Sequence, residues 1–541
     1  MDTSTKSFPQ DGGKAIEPQQ PCRKKPRTIP EHINDREARL VKQLAEVKAK
    51  ENKNSLSHFS YTCPGLHGPG TSTDVTMVKF DAIFGPSAPP ILIPLFQRTY
   101  CWEDQIEGWW RDLSGAIVNE HRVGKIIFKA AEKESKRAMV CIDGQQRITT
   151  QQLFLSSLRD AALFLKKQIA TCPSSAVSSL LPEVNAFLRT VNVYLYRDVQ
   201  ECQRWIKERR QEQQNKEKEE ETQGISSSLF HLGEKIEFCT LLPSFCDRVP
   251  FFDLVTAGVM YEIDQEERGW QKEGGEQTQL GLNLQFSKEV NETFMGKAKR
   301  SFDGHVLRSA FPSPSRSAGD LQAALKKLQE LGRNAMHNMI IARIEIMNPI
   351  DYALVFLWFQ EKSLFSSGSL LHNPSPGVSF RAIDLVRNLC LSPFMEYSLA
   401  QQEELYRKYW LGPIELKLGT RTVVLDGFLE KFLEQQNHHI SKSERYVGSF
   451  EGKMECLRDS GIIKQDFTTP LLYAAFHSYY ELNESLFAQQ TTEVEKGLRA
   501  MMESVHIIPD NEEKAASHKA SFLALRDLSN FALSFSPVQE D

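Results

Sequence analysis

Cys141-Ile142-Asp143-Gly144-Gln145-Gln146-Arg147-Ile148-Thr149-Thr150 brings a carboxylate, two carboxamides, a guanidinium and two hydroxyls into one short stretch. Asp143-Gly144 is a strong turn signal, and the residues before it, Ala138 to Ile142, read as a strand. After it, Leu155, Leu158, Ala162 and Leu165 recur at helical intervals, so an amphipathic helix should start near Gln145. A helix N-terminus presents unpaired N–H groups and a partial positive charge, which suits a phosphate. Gly144 permits a sharp turn and a close ligand approach. Arg147 in the first turn can offer a bidentate fork to phosphate oxygens. The Thr149 and Thr150 hydroxyls could donate to phosphate or ligate a hydrated metal, and Asp143 is a candidate Mg²⁺ ligand or water-positioning group. Gln145 and Gln146 are neutral, so they could orient water or read a base but make poor general bases. A plain helix cap with a surface arginine would carry the same residues.

The elements that must hold this stretch are legible on both sides. Order should begin near Thr76, and Pro90-Ile91-Leu92-Ile93-Pro94 reads as a strand. Ile106, Trp109, Trp110 and Leu113 then predict a helix from Glu103, and Gly124 to Phe128 a further strand. For Trp102, Trp109 and Trp110, core packing is the ordinary expectation, as it is for Tyr100 with its hydroxyl satisfied by a local partner.

The remainder of the 541 residues reads as mainly helical: Leu321–Leu331, Asp384–Tyr397, Glu403–Trp410, Gly427–Gln436 and Pro470–Tyr480. Trp205 to Glu221 reads as a charge-dense helix or solvated arm. The expected division is a disordered tail at 1–75, a nucleotide-binding domain at 76–170, a helical connection at 171–262, a low-complexity insertion at 263–320 and a helical domain at 321–541. Within the tail, Leu40, Leu44 and Val47 hint at one local helix, and Arg23-Lys24-Lys25-Pro26-Arg27 resembles a short nuclear address.

A net charge of −5 argues against a chain-wide affinity for DNA and leaves a local basic channel open. Neither a long apolar run nor a signal-peptide core occurs, so no membrane association is expected. Ten cysteines without a C-x-x-C pair read as reduced, buried thiols. The expected compartment is cytoplasmic or nuclear.

A second block, Ile93-Pro94-Leu95-Phe96-Gln97-Arg98-Thr99-Tyr100-Cys101-Trp102, changes the weight of the first. Together the two resemble the N-terminal domain family of GmrSD-type restriction endonucleases, with its "I-P-x-x-Q-R-x-Y-x-W" and "I-D-G-Q-Q-R-x-T-T" motifs in that order. The resemblance implies an α+β architecture: a small ParB/sulfiredoxin-like mixed α/β domain followed by a mainly α-helical one. It also implies hydrolysis of a nucleoside triphosphate, with Asp143, Gln145 and Arg147 as catalytic candidates. Gln97 and Arg98 become a second wall of the pocket, beside Gly144, Gln146, Thr149 and Thr150. Further on, Leu241 to Arg248, Ile383-Asp384-Leu385-Val386-Arg387-Asn388 and Trp410-Leu411-Gly412-Pro413-Ile414-Glu415 are similar to family segments. The Asp384–Arg387–Asn388 face could also be a salt-bridge cluster fixing the two domains together. The family's "F-E-x-L-N-x-R-G" is not kept at Phe356 to Lys362, which puts that loop's contribution to the site in doubt.

Relatives often carry an HNH nuclease. His506-Ile507-Ile508-Pro509 and Leu528-Ser529-Asn530-Phe531 echo its motif, but the chain ends at Asp541 before a remaining metal-ligand helix, so no complete nuclease is expected. The leading expectation is a Mg²⁺-dependent NTPase. The alternative is a non-hydrolysing nucleotide-dependent module that contacts DNA or a protein partner, including a further copy of itself.

Overall fold

The computed structural model describes residues 73–115, 121–129, 138–208, 238–268, 281–346, 382–440 and 512–535, with short gaps inside several of these stretches, and the isolated positions 60–61, 476, 479–480, 500 and 502–504. The Asp35–Lys50 helix, the basic cluster at 23–27, the altered loop at 356–362 and His506 to Pro509 lie outside them.

Seven strands form one mixed sheet. They are β1 (Ser60–Tyr61), β2 (Thr73–Lys79), β3 (Ile91–Leu92), β4 (His121–Lys129), β5 (Met139–Asp143), β6 (Leu241–Leu242) and β7 (Met339–Ile346), in the order β1-β2-β7-β4-β5-β3-β6. β7 pairs antiparallel with β2 and parallel with β4, while β4 and β5 run antiparallel and β5, β3 and β6 run parallel. The alternation of side chains along a strand divides the apolar residues between two faces. Ile126, Phe128, Met139, Cys141, Met339 and Ile341 join the large core on one face. Ile127, Ile142, Ile344 and Ile346 gather on the other.

The longer helices of this unit include α1 (Gln105–Ser114), α2 (Gln145–Ala170), α3 (Leu181–Leu195), α4 (Arg248–Arg268), α5 (Phe294–Ala310) and α6 (Ala318–Arg333). At its centre, α2 has α3, α4, α5 and α6 packed around it and is buried on nearly every side. A helix with Gln151, Gln152, Arg159 and Asp160 inside a core needs partners for each. Gln151 Nε2 donates to the Ala335 carbonyl at 2.8 Å, and Trp109 Nε1 donates to Gln151 Oε1 at 3.2 Å. Arg159 donates to Asp160 Oδ1 and to the Tyr196 hydroxyl, and Lys299 Nζ bridges Asp160 and Asp303 at 2.8 and 2.6 Å. Two cations thereby balance two carboxylates in the interior.

This arrangement corrects two expectations. The stretch 263–320 is not an insertion set apart from the fold: α4 extends to Arg268, and α5 buries Met295, Ala298, Phe302 and Val306 against the core. Its Gly, Ser and charge content masked a real apolar face, and its buried lysine has carboxylate partners. Residues 321–346 belong to the α/β unit, because β7 is an interior strand of the sheet and α6 packs on α2. Of the Trp205–Glu221 stretch, the described part is helical, in a helix at 199–208, and the Trp205 ring meets those of Phe238 and Phe252 at 5.5 and 6.2 Å; residues 209–221 lie outside the described ones.

The helical part is built from α7 (Ala382–Leu391), α8 (Leu399–Tyr406), a wider π-type stretch at Arg407–Leu416, α9 (Thr422–Ile440) and α10 (Glu512–Ser534). It has its own core around Trp410, Phe428, Phe432 and Leu525, which Leu95 and Phe245 of the α/β unit enter. The chain is thus α+β, as expected. Leu528 to Phe531 falls inside α10 with Leu528 fully buried, so that segment is helix interior.

Candidate functional site

β5 delivers Asp143 to the start of α2, and Gly144 makes the turn with φ at +98°, in the left-handed region where a side chain is strained. A Cβ there would lie 2.9 Å from Ile126 Cγ1 and 3.1 Å from the Lys125 carbonyl oxygen, so the glycine also lets the helix start seat on β4. No side chain caps this end of α2.

The two sequence blocks meet here. Gln97 Nε2 donates to the Ile142 carbonyl at 3.0 Å. Gln145 Nε2 donates to the Arg98 carbonyl at 3.1 Å and Gln146 Nε2 to the Thr99 carbonyl at 3.3 Å. Gln146 Oε1 accepts from the Cys101 amide at 2.9 Å. Thr150 Oγ1 donates to the Gln146 carbonyl at 2.7 Å, so the 2.8 Å contact with the Tyr100 hydroxyl has the phenol as donor. Burial pushes the Tyr100 phenol well above its ordinary value, which keeps it a donor. Gln97, Gln145, Gln146, Thr149 and Thr150 are all buried. The side chains of Gln97, Gln145, Gln146 and Thr150 are committed to protein partners, and they lace the 97–101 segment to the helix start. In the structure they hold the site together, whereas the sequence pointed to water orientation or ligand contact.

Asp143, Arg147 and Arg98 are the partly exposed members of this group. Among the described residues no hydrogen bond engages the Asp143 carboxylate. Arg147 Nε donates to the Val123 carbonyl at 3.1 Å and Nη1 to the Lys125 carbonyl at 3.4 Å, while Cζ sits 5.9 Å from the Trp102 ring centroid. Burial pulls this guanidinium below its ordinary value and the Asp143 charge works against that shift, so it stays cationic. Carboxylate, guanidinium and uncapped helix end thus share one face at the head of α2.

Asp247 completes the frame and was not singled out by type or spacing. Its Oδ2 accepts from the Tyr100 amide and from Ser244 Oγ, each at 2.8 Å. Burial raises its carboxyl to about 7, against the lowering effect of those two bonds. Gly124 was missed as well; its signal is a glycine inside a strand.

Beyond Asp247 the frame reaches the helical core. Arg248 pairs with Glu403, and the Phe245 and Tyr406 rings meet at 5.6 Å. Arg387 Nη2 donates to Asp384 at 3.1 Å and Nη1 to Glu415 at 2.5 Å. Glu415 also accepts from Trp410 Nε1 and the Tyr406 hydroxyl, at 2.9 and 2.8 Å. The 383–388 and 410–415 blocks therefore form one buried salt-bridge cluster.

A mixed sheet with a strand, tight turn and long helix carrying the polar residues defines an α+β domain with its site at a helix head. Residues 80–266 match the family model of the GmrSD restriction endonuclease N-terminal domain. No curated protein shows a significant match to the chain. Among the described residues no helix is long and apolar enough to cross a membrane, and no three His, Cys, Asp or Glu side chains are grouped to hold a metal ion.

Proposed function

We propose that the chain binds and hydrolyses a nucleoside triphosphate at the Asp143–Arg147 face. One observation carries this reading: in a motif whose other polar side chains lie buried, Asp143 and Arg147 are the two left partly exposed. The Arg147 guanidinium and the first-turn N–H groups of α2 would grip phosphate oxygens, and their dipoles favour the charge that develops as the terminal phosphate leaves. A single carboxylate suits Mg²⁺, which takes few protein ligands when phosphates and waters fill the rest of its shell. Asp143 would hold that ion, which would neutralise the phosphate oxygens. Arg98, whose carbonyl accepts from Gln145, would supply the second wall.

A second reading has its own support. With Gln146 and Thr150 committed to protein partners and the Gln145 amide N–H given to the Arg98 carbonyl, little of the motif's carboxamide capacity is left to orient an attacking water. That favours a module that binds nucleotide without turnover and uses occupancy to alter its contact with DNA or a protein. The deciding experiment gives the purified chain ATP, GTP and CTP with Mg²⁺, alongside Asp143→Ala and Arg147→Ala. Phosphate release lost in both variants supports hydrolysis. Binding without release supports the second reading, and absence of binding sinks both.

A further inference from the structure

β4 is irregular where it meets Arg147. Its pairing with β7 shifts register between Arg122 and Lys125, and within that shift Gly124 takes φ of +111°. The bulge turns the Val123 and Lys125 carbonyls toward one guanidinium, which donates Nε to the first and Nη1 to the second. A Cβ on residue 124 would stand 2.9 Å from Arg147 Nε, 3.1 Å from Cζ and 3.2 Å from Nη2. The glycine is therefore the floor on which the guanidinium plane lies, and the Trp102 ring lies 5.9 Å from Cζ. Among the described residues Nη2 has no hydrogen-bond partner.

We propose that Gly124 is a positioning residue for the phosphate site: its bulge fixes the Arg147 plane and presents Nη2 to a triphosphate oxygen. This rests on the reading of Asp143–Arg147 as a triphosphate site. Five N–H donors sit in one rigid plane, so fixing two of them to main-chain carbonyls aims the others. Held in advance by the fold, the arginine loses little rotamer freedom when ligand arrives. Any side chain at 124 both strains a left-handed backbone and lifts the guanidinium from its carbonyls.

The test is a double-mutant cycle on the full chain, with Gly124→Ala, Arg147→Ala and the pair, each titrated with ATP, GTP and CTP in Mg²⁺ and each melted without nucleotide. Gly124→Ala should weaken nucleotide binding by about tenfold, and adding it to Arg147→Ala should change affinity by less than about threefold. Its melting midpoint should fall, and removing the guanidinium from the same chain should restore part of the loss. Full-strength binding by Gly124→Ala overturns the positioning role and leaves the triphosphate reading standing. Undiminished binding by Arg147→Ala, or no binding by the unaltered chain, removes that reading and this proposal with it. If Gly124→Ala does not fold, the pair decides. Folding regained on loss of Arg147 supports the contact, whereas failure of both shows that the glycine serves backbone torsion alone and overturns the proposal.

Discussion

Replacing Gln146 with alanine separates a residue that laces the site from one that takes part in chemistry. Gln146 makes two side-chain hydrogen bonds, donating to the Thr99 carbonyl at 3.3 Å and accepting from the Cys101 amide at 2.9 Å. Each contributes about 1 kcal/mol net, and an orphaned buried donor would add about 1–3 kcal/mol. Thr99 is exposed and Cys101 half-buried, so water can reach both freed groups and the lower end applies. The expected loss is about 1–2 kcal/mol, confined to the 97–101 segment, or about 5–30-fold in its opening equilibrium. Hydrogen exchange read at the Cys101 and Tyr100 amides should accelerate by that factor, while amides deep in α2 keep their protection. Nucleotide affinity should fall modestly with it, because Arg98 rides on the same segment. The reasoning is refuted if exchange at 97–101 is unchanged and phosphate release is nonetheless abolished, since Gln146 would then act on substrate and not on the loop.

Three further outcomes follow from the buried charges. Asp247 binds its proton more tightly in the fold than in the unfolded chain, so its contribution to stability is complete at acid pH and is lost as pH rises from about 4 through about 7. Asp247→Asn should accordingly flatten the dependence of the denaturation midpoint on pH between 5 and 8, and an unchanged slope counts against the assignment. Lys299→Met leaves Asp303 without its Nζ partner and Asp160 with only Arg159, which should lower stability by about 3–5 kcal/mol in thermal melts; a loss under about 1 kcal/mol would mean water enters the cluster. Gly258→Ala would set a Cβ 2.1 Å from Asp160 Oδ1 and should destabilise the same cluster, a loss that Asp160→Ala in the same chain should partly offset.

The strand, turn and helix at the site were readable because Asp143-Gly144 is a sharp local signal and the residues around it keep a single period. The meeting of 97–102 with 142–150 followed from motif resemblance, since nothing in spacing says that Gln97 reaches the Ile142 carbonyl. Roles within the motif were less legible. A carboxamide looks the same in sequence whether it faces water or a backbone carbonyl, and only the packing of 97–101 against α2 decides which. The helix α2 illustrates a related limit: periodicity exposed one apolar face, but its polar residues are buried too, because Ala335, Tyr194, Tyr196 and Lys299 supply distant partners. β7 carries an alternating pattern only in its second half, Ala342-Arg343-Ile344-Glu345-Ile346, which is short beside the helical signal of Leu321–Leu331 before it.

The place of β7 bears on how the chain reaches this fold during synthesis. Residues 339–346 separate β2 from β4 in the sheet, although both neighbours leave the ribosome more than two hundred residues earlier. Until β7 emerges, β2 and β4 each present an open hydrogen-bonding edge, the surface on which strands from other chains add. The carbonyls that grip Arg147 belong to β4, so the site waits for the same late strand. A fragment ending at residue 330 should therefore be prone to aggregate and unable to order its Asp143–Arg147 face, even though it contains every residue of both motifs.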